Sequence, residues 1–404
     1  MKVTLVFAAL TVARPVVSGQ GIGIELPKRT GSGQALLARH PLLLLRDKCV
    51  NCHSSAKPLA REAAGQSRQC SGEIASRHLF PELGCTVCHG GNGETMSIKK
   101  AHGKGGEVGL PPMSVGNNSR AIGERLFLSG IYVQASCGNC HLGREVPGAP
   151  VLTRGRELSI ELGCIGCHRL KGHPNDVGVD LTRVGLKDVN RDGQLDVLDR
   201  AWIFRHFKDP AAVRKNSWMA NYKLTDEEAT ALTVLVLSFT DEELPPEYVV
   251  PAKPEPEPKT AIERGKHIFE LWGCAGCHGR GARGGIKNPN MKGGEVPQLY
   301  KLADTIVNDK EEADKLLALI ERGADFDNDR SEWLNEYRNI KKRIIEGKRP
   351  EKEDASGPPP PLAMPEWREK IRGRDLDDLA AYILSLFPED GWESWDEKPK
   401  EKPK

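Results

Sequence analysis

The chain has 404 residues, a length typical of about two to four domains. Its 58 basic and 56 acidic residues nearly balance, with a formal net charge of +2, so the composition gives no support to nucleic-acid binding or to a strongly charged partner surface. Only 5% of the residues are aromatic and 38% are hydrophobic. Side chains alone would therefore form a thin core for a protein of this size.

The N-terminus has the pattern of a secretory signal. An apolar run from Val3 to Ala13 follows Met1-Lys2, and small residues lead to Gly19. We therefore expect residues 1–19 to be a cleaved signal peptide and the protein to be exported, to the periplasm or the cell exterior. An ordinary first helix or strand is the alternative. No other run approaches the roughly 20 apolar residues of a membrane span, so no span is expected in the mature chain.

The pattern Cys-x-x-Cys-His occurs five times. The copies, called motifs 1 to 5 below, are Cys49–His53, Cys85–His89, Cys137–His141, Cys164–His168 and Cys274–His278. In such a motif the two cysteines attach to one edge of a haem and the histidine ligates its iron. The sequence therefore predicts five covalently bound haem c groups. Their attachment residues are Cys49, Cys52, Cys85, Cys88, Cys137, Cys140, Cys164, Cys167, Cys274 and Cys277, and their histidine ligands are His53, His89, His141, His168 and His278.

Zinc knuckles or disulfides are the alternative for these cysteines. Five copies that use ten of the eleven cysteines argue against that alternative. Each haem is also a large apolar plate that replaces several buried side chains, which would explain the shortage of core-forming residues. Haem attachment to such motifs takes place outside the cytoplasm, which agrees with export.

Residues 20–115 carry motifs 1 and 2 and show little hydrophobic periodicity, so we expect an irregular dihaem module there. A haem that only carries electrons needs a sixth ligand, for which His and Met are the candidates. His102 follows motif 2 closely enough to fold back over the second haem, and His78 is the candidate for the first haem. A surface or hydrogen-bonded histidine is the alternative for both.

The stretch from Pro81 to Gly91 with the later Ala101-His102 resembles multihaem cytochromes associated with bacterial quinol-oxidising complexes built on a cytochrome b. The resemblance implies redox-protein partners, among them a membrane quinol-oxidising complex.

The third haem is less determined. Met113, upstream of motif 3, is the first candidate for its sixth ligand, and His40 is the alternative. Cys70, outside the motifs, is expected to be an inert, partly buried thiol, with a thiolate ligand as the alternative.

A repeat surrounds motifs 4 and 5. Arg154-Gly155 and Arg264-Gly265 each begin a stretch that leads, at equal spacing, to a glycine before the motif, which predicts a helix ending in that glycine. Met219 and Met364 follow the motifs, and each precedes a predicted helix, the first with the capping box Thr225–Glu228.

Residues 150–245 and 261–388 resemble class I cytochrome c domains through this order of helix, motif, methionine and helix. The resemblance implies that Met219 and Met364 are the sixth ligands of the fourth and fifth haems. His173, His206 and His267 lie at positions that such domains do not use for iron, so we expect them on the surface.

The predicted fold is therefore mainly α, with an irregular N-terminal multihaem module followed by two class I cytochrome c domains. The predicted segments are the module at 20–115, the third-haem segment with the first class I domain at 116–250, a proline-rich linker at 251–260, the second class I domain at 261–388 and a disordered tail at 389–404. Alternating prolines favour polyproline II, so the linker is expected to be a semi-rigid spacer that lets the last domain swing towards an acceptor.

A calcium-like loop lies inside the fourth-haem segment. Oxygen-bearing side chains recur at the spacing of an EF-hand or dockerin loop, with Gly193 at the sharp turn. The predicted ligands of one structural calcium ion are Asp188, Asn190, Asp192, Asp196 and Asp199. An acidic, solvated turn is the alternative.

These features predict an electron-transfer protein without substrate chemistry. Methionine raises the reduction potential of haem relative to two histidines, so electrons are expected to run from the N-terminal module towards the last domain. The alternatives are a multihaem enzyme of the peroxidase or nitrogen-oxide reductase type, with an open iron, and the repeating unit of an extracellular cytochrome filament or another oligomer.

Overall fold

The computed structural model describes residues 49, 78, 85–93, 95–102, 127–171, 177–186, 200–240, 244, 246–300, 302, 307, 310–324, 326 and 331–386. Over these residues the regular elements are helices, and the β-pairing consists of four isolated bridges, which confirms the mainly α fold. Several predictions lie outside the described residues: the signal peptide, His40, Cys52, His53, Cys70, Met113, His173, the calcium-loop candidates Asp188, Asn190, Asp192, Asp196 and Asp199, and the tail from 389 onwards.

The α-helices follow one another along the described chain with short 3-10 turns between some of them. They are α1 (Thr86–His89), α2 (Ile98–His102), α3 (Gln134–Cys140), α4 (Pro150–Glu161), α5 (Arg200–Lys208), α6 (Pro210–Val213), α7 (Asp226–Leu237), α8 (Ala261–Leu271), α9 (Ala275–His278), α10 (Lys310–Glu321), α11 (Asn335–Glu346) and α12 (Arg374–Leu384). None of the helices in the described part of the chain is long and apolar enough to cross a membrane.

The fourth-motif domain is built on the crossing of α4 and α7. Gly155 lies at the crossing, and a Cβ atom there would overlap the carbonyl oxygen of Ala231, so glycine is what allows the two backbones to approach. Leu152 and Leu158 of α4 are buried together with most of α7. The predicted capping box of α7 is confirmed, since Thr225 accepts a hydrogen bond from the N–H of Glu228 and the Glu228 side chain accepts one from Thr225.

The fifth-motif domain repeats this arrangement with α8 and α12. Gly265 occupies the equivalent crossing, where a Cβ atom would overlap the carbonyl oxygen of Asp378. The neighbouring Arg264 donates two hydrogen bonds to the buried carboxylate of Asp378, at 2.7 and 2.9 Å. The Arg-Gly pair that marks the sequence repeat therefore has a structural role, because it lies where the first and last helices of each domain meet.

Helix α11 belongs to the core of the fifth-motif domain. It lies in a segment whose many charged residues gave no clear prediction from the sequence. Tyr337, Ile340 and Ile344 recur at helical spacing and are buried, and the Tyr337 hydroxyl donates to Asp377 of α12 at 2.7 Å. The charged residues form the outer face of a packed helix.

Candidate haem-attachment sites

Motifs 2 to 5 share one local geometry. In each, the N–H of the histidine donates to the carbonyl of the first cysteine, at 2.9 to 3.0 Å, which closes one turn of helix. Residues at positions i, i+3 and i+4 of a helical turn lie on one side of it. Both sulfurs and the imidazole therefore face the same direction, as attachment to one haem requires.

The histidines are oriented by hydrogen bonds to carbonyl groups downstream. The Nδ1 atom of His89 lies 3.2 Å from the Leu128 oxygen, that of His168 lies 2.8 Å from the Val179 oxygen, and that of His278 lies 2.8 Å from the Pro297 oxygen. When Nδ1 carries the proton, Nε2 keeps its lone pair for a metal, which is how metal-ligating histidines are held. Burial lowers the pKa of His168 and of His278, so both imidazoles are neutral at neutral pH.

The cysteines of the described motifs suit attachment to haem. Among the nine described cysteines no pair is joined in a disulfide. Burial raises the pKa of Cys164 to about 11 and that of Cys274 to about 12, so both are protonated at neutral pH. A thioether link to haem leaves no charge on the sulfur, so it suits these buried positions.

Motif 3 contacts motif 2 on one side and the fourth-motif domain on the other. The Ser136 hydroxyl donates to the carbonyl of Cys88 at 2.7 Å. On the other side, the guanidinium of Arg156 donates to the carbonyl of His141 at 2.7 Å and to that of Gly143. The Thr240 hydroxyl donates to the side chain of Asn139 at 2.9 Å. Motif 3 is therefore held by residues of α4 and of the segment after α7.

Motifs 4 and 5 pack directly against each other through four glycines. A Cβ atom on Gly163 would overlap the amide nitrogen of Gly276, and one on Gly273 would overlap that of Gly166. Cβ atoms on Gly166 and Gly276 would overlap the carbonyls of Gly273 and Gly163. The contact is symmetric between the two motifs, and each of the four positions needs a residue without a side chain.

The second cysteines of these two motifs also meet. The two thiols interact, and this interaction raises the pKa of Cys167 and lowers that of Cys277. Both sulfurs stand where thioethers to haem would form, and a thioether has no S–H to donate. After haem attachment, what remains of this contact is therefore the proximity of the two sulfurs.

The Cytochrome c family model matches residues 152–240 and 262–387, together more than half of the chain. This chain belongs to the cytochrome c family. No curated protein and no solved structure matches it. Membership of this family implies covalently bound haem c and a haem-based electron-transfer role, and the orientation of the motif histidines fits such a group.

The two cytochrome c domains are in direct contact in this structure. Across the glycine contact, Arg280 of the fifth-motif domain pairs with Glu161 at 2.7 Å and with Glu228 at 2.8 Å. The Tyr222 hydroxyl donates to the carbonyl of Gly276 at 3.4 Å. A swing of the last domain towards an acceptor would have to break all of these contacts, and the swing stays a prediction.

The linker between the two cytochrome c domains is held as well. Just before it, Val250 exchanges backbone hydrogen bonds with motif 3, donating to Cys140 and accepting from Leu142, at 2.8 and 3.0 Å. Arg144 pairs with Glu255 of the linker at 3.3 Å. The spacer thus follows the surface of motif 3.

The methionine of the second cytochrome c domain is fixed by its backbone. Met364 and Lys348 exchange two backbone hydrogen bonds of 3.0 Å. The buried Asn288 side chain donates to the Leu362 carbonyl at 2.8 Å and accepts from the Leu362 N–H at 3.1 Å, two residues before the methionine. Met219, in the first domain, is half-buried, and its N–H donates to the Ser217 hydroxyl at 3.3 Å. Ligation of iron by either methionine stays a prediction.

The other histidines have varied environments. His102 lies against Phe127, with ring centres 4.6 Å apart, and Phe127 stacks at 6.2 Å on His89 of motif 2. His267 is exposed, as predicted. The prediction for His206 was wrong: it is half-buried, stacks on Trp202 at 4.9 Å, and its buried Nδ1 atom has no hydrogen-bond partner among the described residues. It lies on the inner face of α5, a feature that the resemblance to class I domains did not reveal.

His78 lies beside motif 3. Its ring centre is 6.2 Å from that of His141, although the sequence made it a candidate for the first haem. The contact between His78 and His141 is tertiary. The two residues are 63 positions apart in the chain, and no local sequence pattern links them.

Proposed function

We propose that this member of the cytochrome c family is a pentahaem electron-transfer protein that works outside the cytoplasm, with haem c bound at each of its five motifs. The observation that carries the proposal is the contact between motifs 4 and 5, where four glycines bring the two attachment turns together. Bound haem c supplies an iron that takes up and releases one electron.

The contacts between motifs follow the order of the chain. Ser136 joins motif 2 to motif 3, Arg156 joins motif 3 to the fourth-motif domain, and the glycines join motif 4 to motif 5. Electron exchange between two redox groups slows steeply as the distance between their edges grows. A series of touching attachment turns therefore supports a relay better than it supports independent carriers.

The direction of flow follows from the proposed ligands. We infer that Met219 and Met364 are the sixth ligands in the two cytochrome c domains and that His102 serves the second haem. Methionine ligation raises the reduction potential relative to two histidines, so the C-terminal domains form the accepting end. The stretch around motif 2 supports a quinol-oxidising respiratory complex as the donor, and a second redox protein would accept electrons from the last domain.

The calcium-like loop from Asp188 to Asp199 belongs to the same proposal. Its five oxygen-bearing side chains and Gly193 have the spacing of a calcium loop. A bound calcium ion would have a structural role, because it would order a segment inserted in the fourth-motif domain. Calcium analysis of the dialysed holoprotein tests this: one ion per chain is expected, and none after Asp188→Ala with Asp192→Ala.

The haem count tests the proposal. The full chain is produced in a host that exports it and attaches c-type haem, and its intact mass is measured. Five haems per chain are expected, and the variant with Cys274→Ser and Cys277→Ser should carry four. Fewer than five haems on the unaltered chain would contradict the pentahaem proposal.

Carbon monoxide separates a relay from an enzyme. A relay closes both axial positions of every iron, so reduced protein should show no rapid binding of carbon monoxide. One haem per chain that binds the gas readily would favour a multihaem enzyme with an open iron.

A further inference from the structure

The rings of His78 and His141 lie close together in an edge-on arrangement. Their ring centres are 6.2 Å apart and their planes make an angle of 65°. His141 is the histidine of motif 3, and His78 is an exposed residue from the segment before motif 2. The pair therefore joins the N-terminal module to the motif whose second ligand the sequence leaves open.

The distance between the two rings matches two ligands of one iron. Metal–nitrogen bonds of about 2 Å on opposite faces of a metal place the centres of two imidazoles about 6 Å apart. Each ring can turn about its own metal–nitrogen bond, so the angle between the planes neither supports nor opposes ligation. The distance between the ring centres is therefore the quantity to compare with that of two ligands of one iron.

Direct edge-to-face contact between two rings would give a similar spacing, since aromatic pairs in contact have centres about 4.5–7 Å apart. Two other pairs in the described chain are closer: Phe269 and Tyr382 have centres 5.2 Å apart, and Phe326 and Tyr337 have centres 5.0 Å apart. His89 and Phe127 also lie at 6.2 Å, so distance alone does not identify a ligand pair. His78 and His141 are distinguished because both rings can ligate iron and one of them belongs to a haem motif.

The motif 3 side of this pair is firmly held. The N–H of His141 donates to Cys137 at 2.9 Å, and its carbonyl accepts from Arg156 at 2.7 Å. Motif 3 also contacts motif 2 through Ser136. The backbone of His141 is thus fixed relative to α4, and His78 approaches it from the N-terminal module.

We propose that His78 is the sixth ligand of the third haem, opposite His141. The assignment rests on the proposed attachment of haem at motif 3. It replaces both the earlier candidate for that haem, Met113, and the earlier role of His78 at the first haem. It makes the third haem a bis-histidine group with a closed iron, and it ties the N-terminal module to the fourth-motif domain through the metal.

The spin state of the haems tests this assignment. His78→Leu should convert one of the five haems from low-spin to high-spin, measured by electron paramagnetic resonance and by carbon monoxide uptake of one equivalent per chain. Added imidazole should restore the low-spin state. His267→Leu is the matched control, since His267 is an exposed histidine of the last domain, and it should leave all haems unchanged.

Two backgrounds identify which haem has lost its ligand. With Cys137→Ser and Cys140→Ser, which remove the third haem, His78→Leu should create no high-spin haem. With Cys49→Ser and Cys52→Ser, which remove the first haem, it should still create one. Either background decides the question if the other fails to accumulate.

Two results would overturn the proposal: five low-spin haems in His78→Leu, or a high-spin haem that persists without motif 3 and disappears without motif 1. A protein that carries fewer than five haems before any substitution would instead count against the proposed function.

Discussion

Gly163 and Gly276 touch across the boundary between the two cytochrome c domains, so closely that a Cβ atom on either would overlap backbone atoms of the other. Gly276 lies between the two cysteines of motif 5, and Gly163 immediately precedes motif 4. The chain thus uses its most compact residue where two haem-attachment turns meet. The contact brings the two attachment turns together without intervening side chains.

Gly276→Ala should loosen the docking of the two domains. Its Cβ would overlap the carbonyl of Gly163, and such overpacking costs about 1–3 kcal/mol. We expect slower electron exchange between the fourth and fifth haems, measured by flash reduction, and faster proteolysis of residues 251–260. Gly143→Ala is the matched control, because its nearest neighbours would lie at 3.4 Å or more. Equal exchange rates in both variants would contradict the role of this contact.

Arg264→Gln should destabilise the fifth-motif domain strongly. Asp378 is buried, and loss of its two charge-assisted hydrogen bonds leaves the carboxylate with the longer, 3.9 Å ion pair to Arg374, so the cost should approach about 3 kcal/mol. Lys292→Gln removes an ion pair whose two side chains are 71% and 72% exposed, and it should cost less than about 1 kcal/mol. Denaturant unfolding of the holoproteins, followed by circular dichroism, compares them. Similar midpoints would show that the Arg264 pair contributes little.

Acid should weaken the docking of the domains. Hydrogen bonding to Arg154 is the main cause that lowers the pKa of Glu161, and Arg280 contributes across the boundary. A carboxylate with a lowered pKa contributes stability above its ordinary pKa of 4.5, and that stability is lost as the pH falls towards the folded-state value. Arg154 lies in the same helix as Glu161 and keeps that pKa lowered after the domains separate, so small-angle scattering should show domain separation only as the pH falls below this lowered value. Arg280→Gln should shift the onset to higher pH, and an unchanged onset would exclude this ion pair from the docking.

Met219→Leu and Met364→Leu should each abolish methionine ligation at one haem, while the haem itself stays attached. Coordination of methionine to ferric haem gives a weak far-red absorption band, and half of its intensity should disappear with each substitution. Met96→Leu is the control, because Met96 is an exposed methionine that is not a predicted ligand. If Met219→Leu leaves the band unchanged, the half-buried His206 becomes the candidate for the fourth haem.

Asn288→Ala tests how the methionine segment is positioned. Asn288 holds Leu362 through two hydrogen bonds, and Leu362 lies two residues before Met364. We expect the far-red band to remain at low temperature and to be lost on warming well before the domain unfolds. A band that melts only with the domain would remove Asn288 from this role.

The sequence predicted those features that depend on local spacing. Three such features are the motifs, the Arg-Gly repeat and the Thr225 capping box. Each lies within one or two turns of helix, and each predicts the local helix or turn around it. The burial of one face of α11 could also be predicted, since Tyr337, Ile340 and Ile344 recur at helical spacing. The many charged residues around them obscured this pattern.

Features that depend on tertiary contact could not be predicted in this way. The pairing of Gly163 with Gly276 requires the docking of two domains, and proline content alone favoured a swinging spacer. The approach of His78 to His141 joins residues far apart in the chain, and no local pattern in the sequence indicates it.

A coulometric reductive titration of the intact holoprotein tests the central claim of a five-haem relay most directly. Five electrons per chain are predicted, with the last-reduced components being the bis-histidine haems of the N-terminal side and the first-reduced ones the methionine-ligated haems of the two cytochrome c domains. Fewer than five electrons per chain, or bis-histidine haems that are reduced first, would contradict the account.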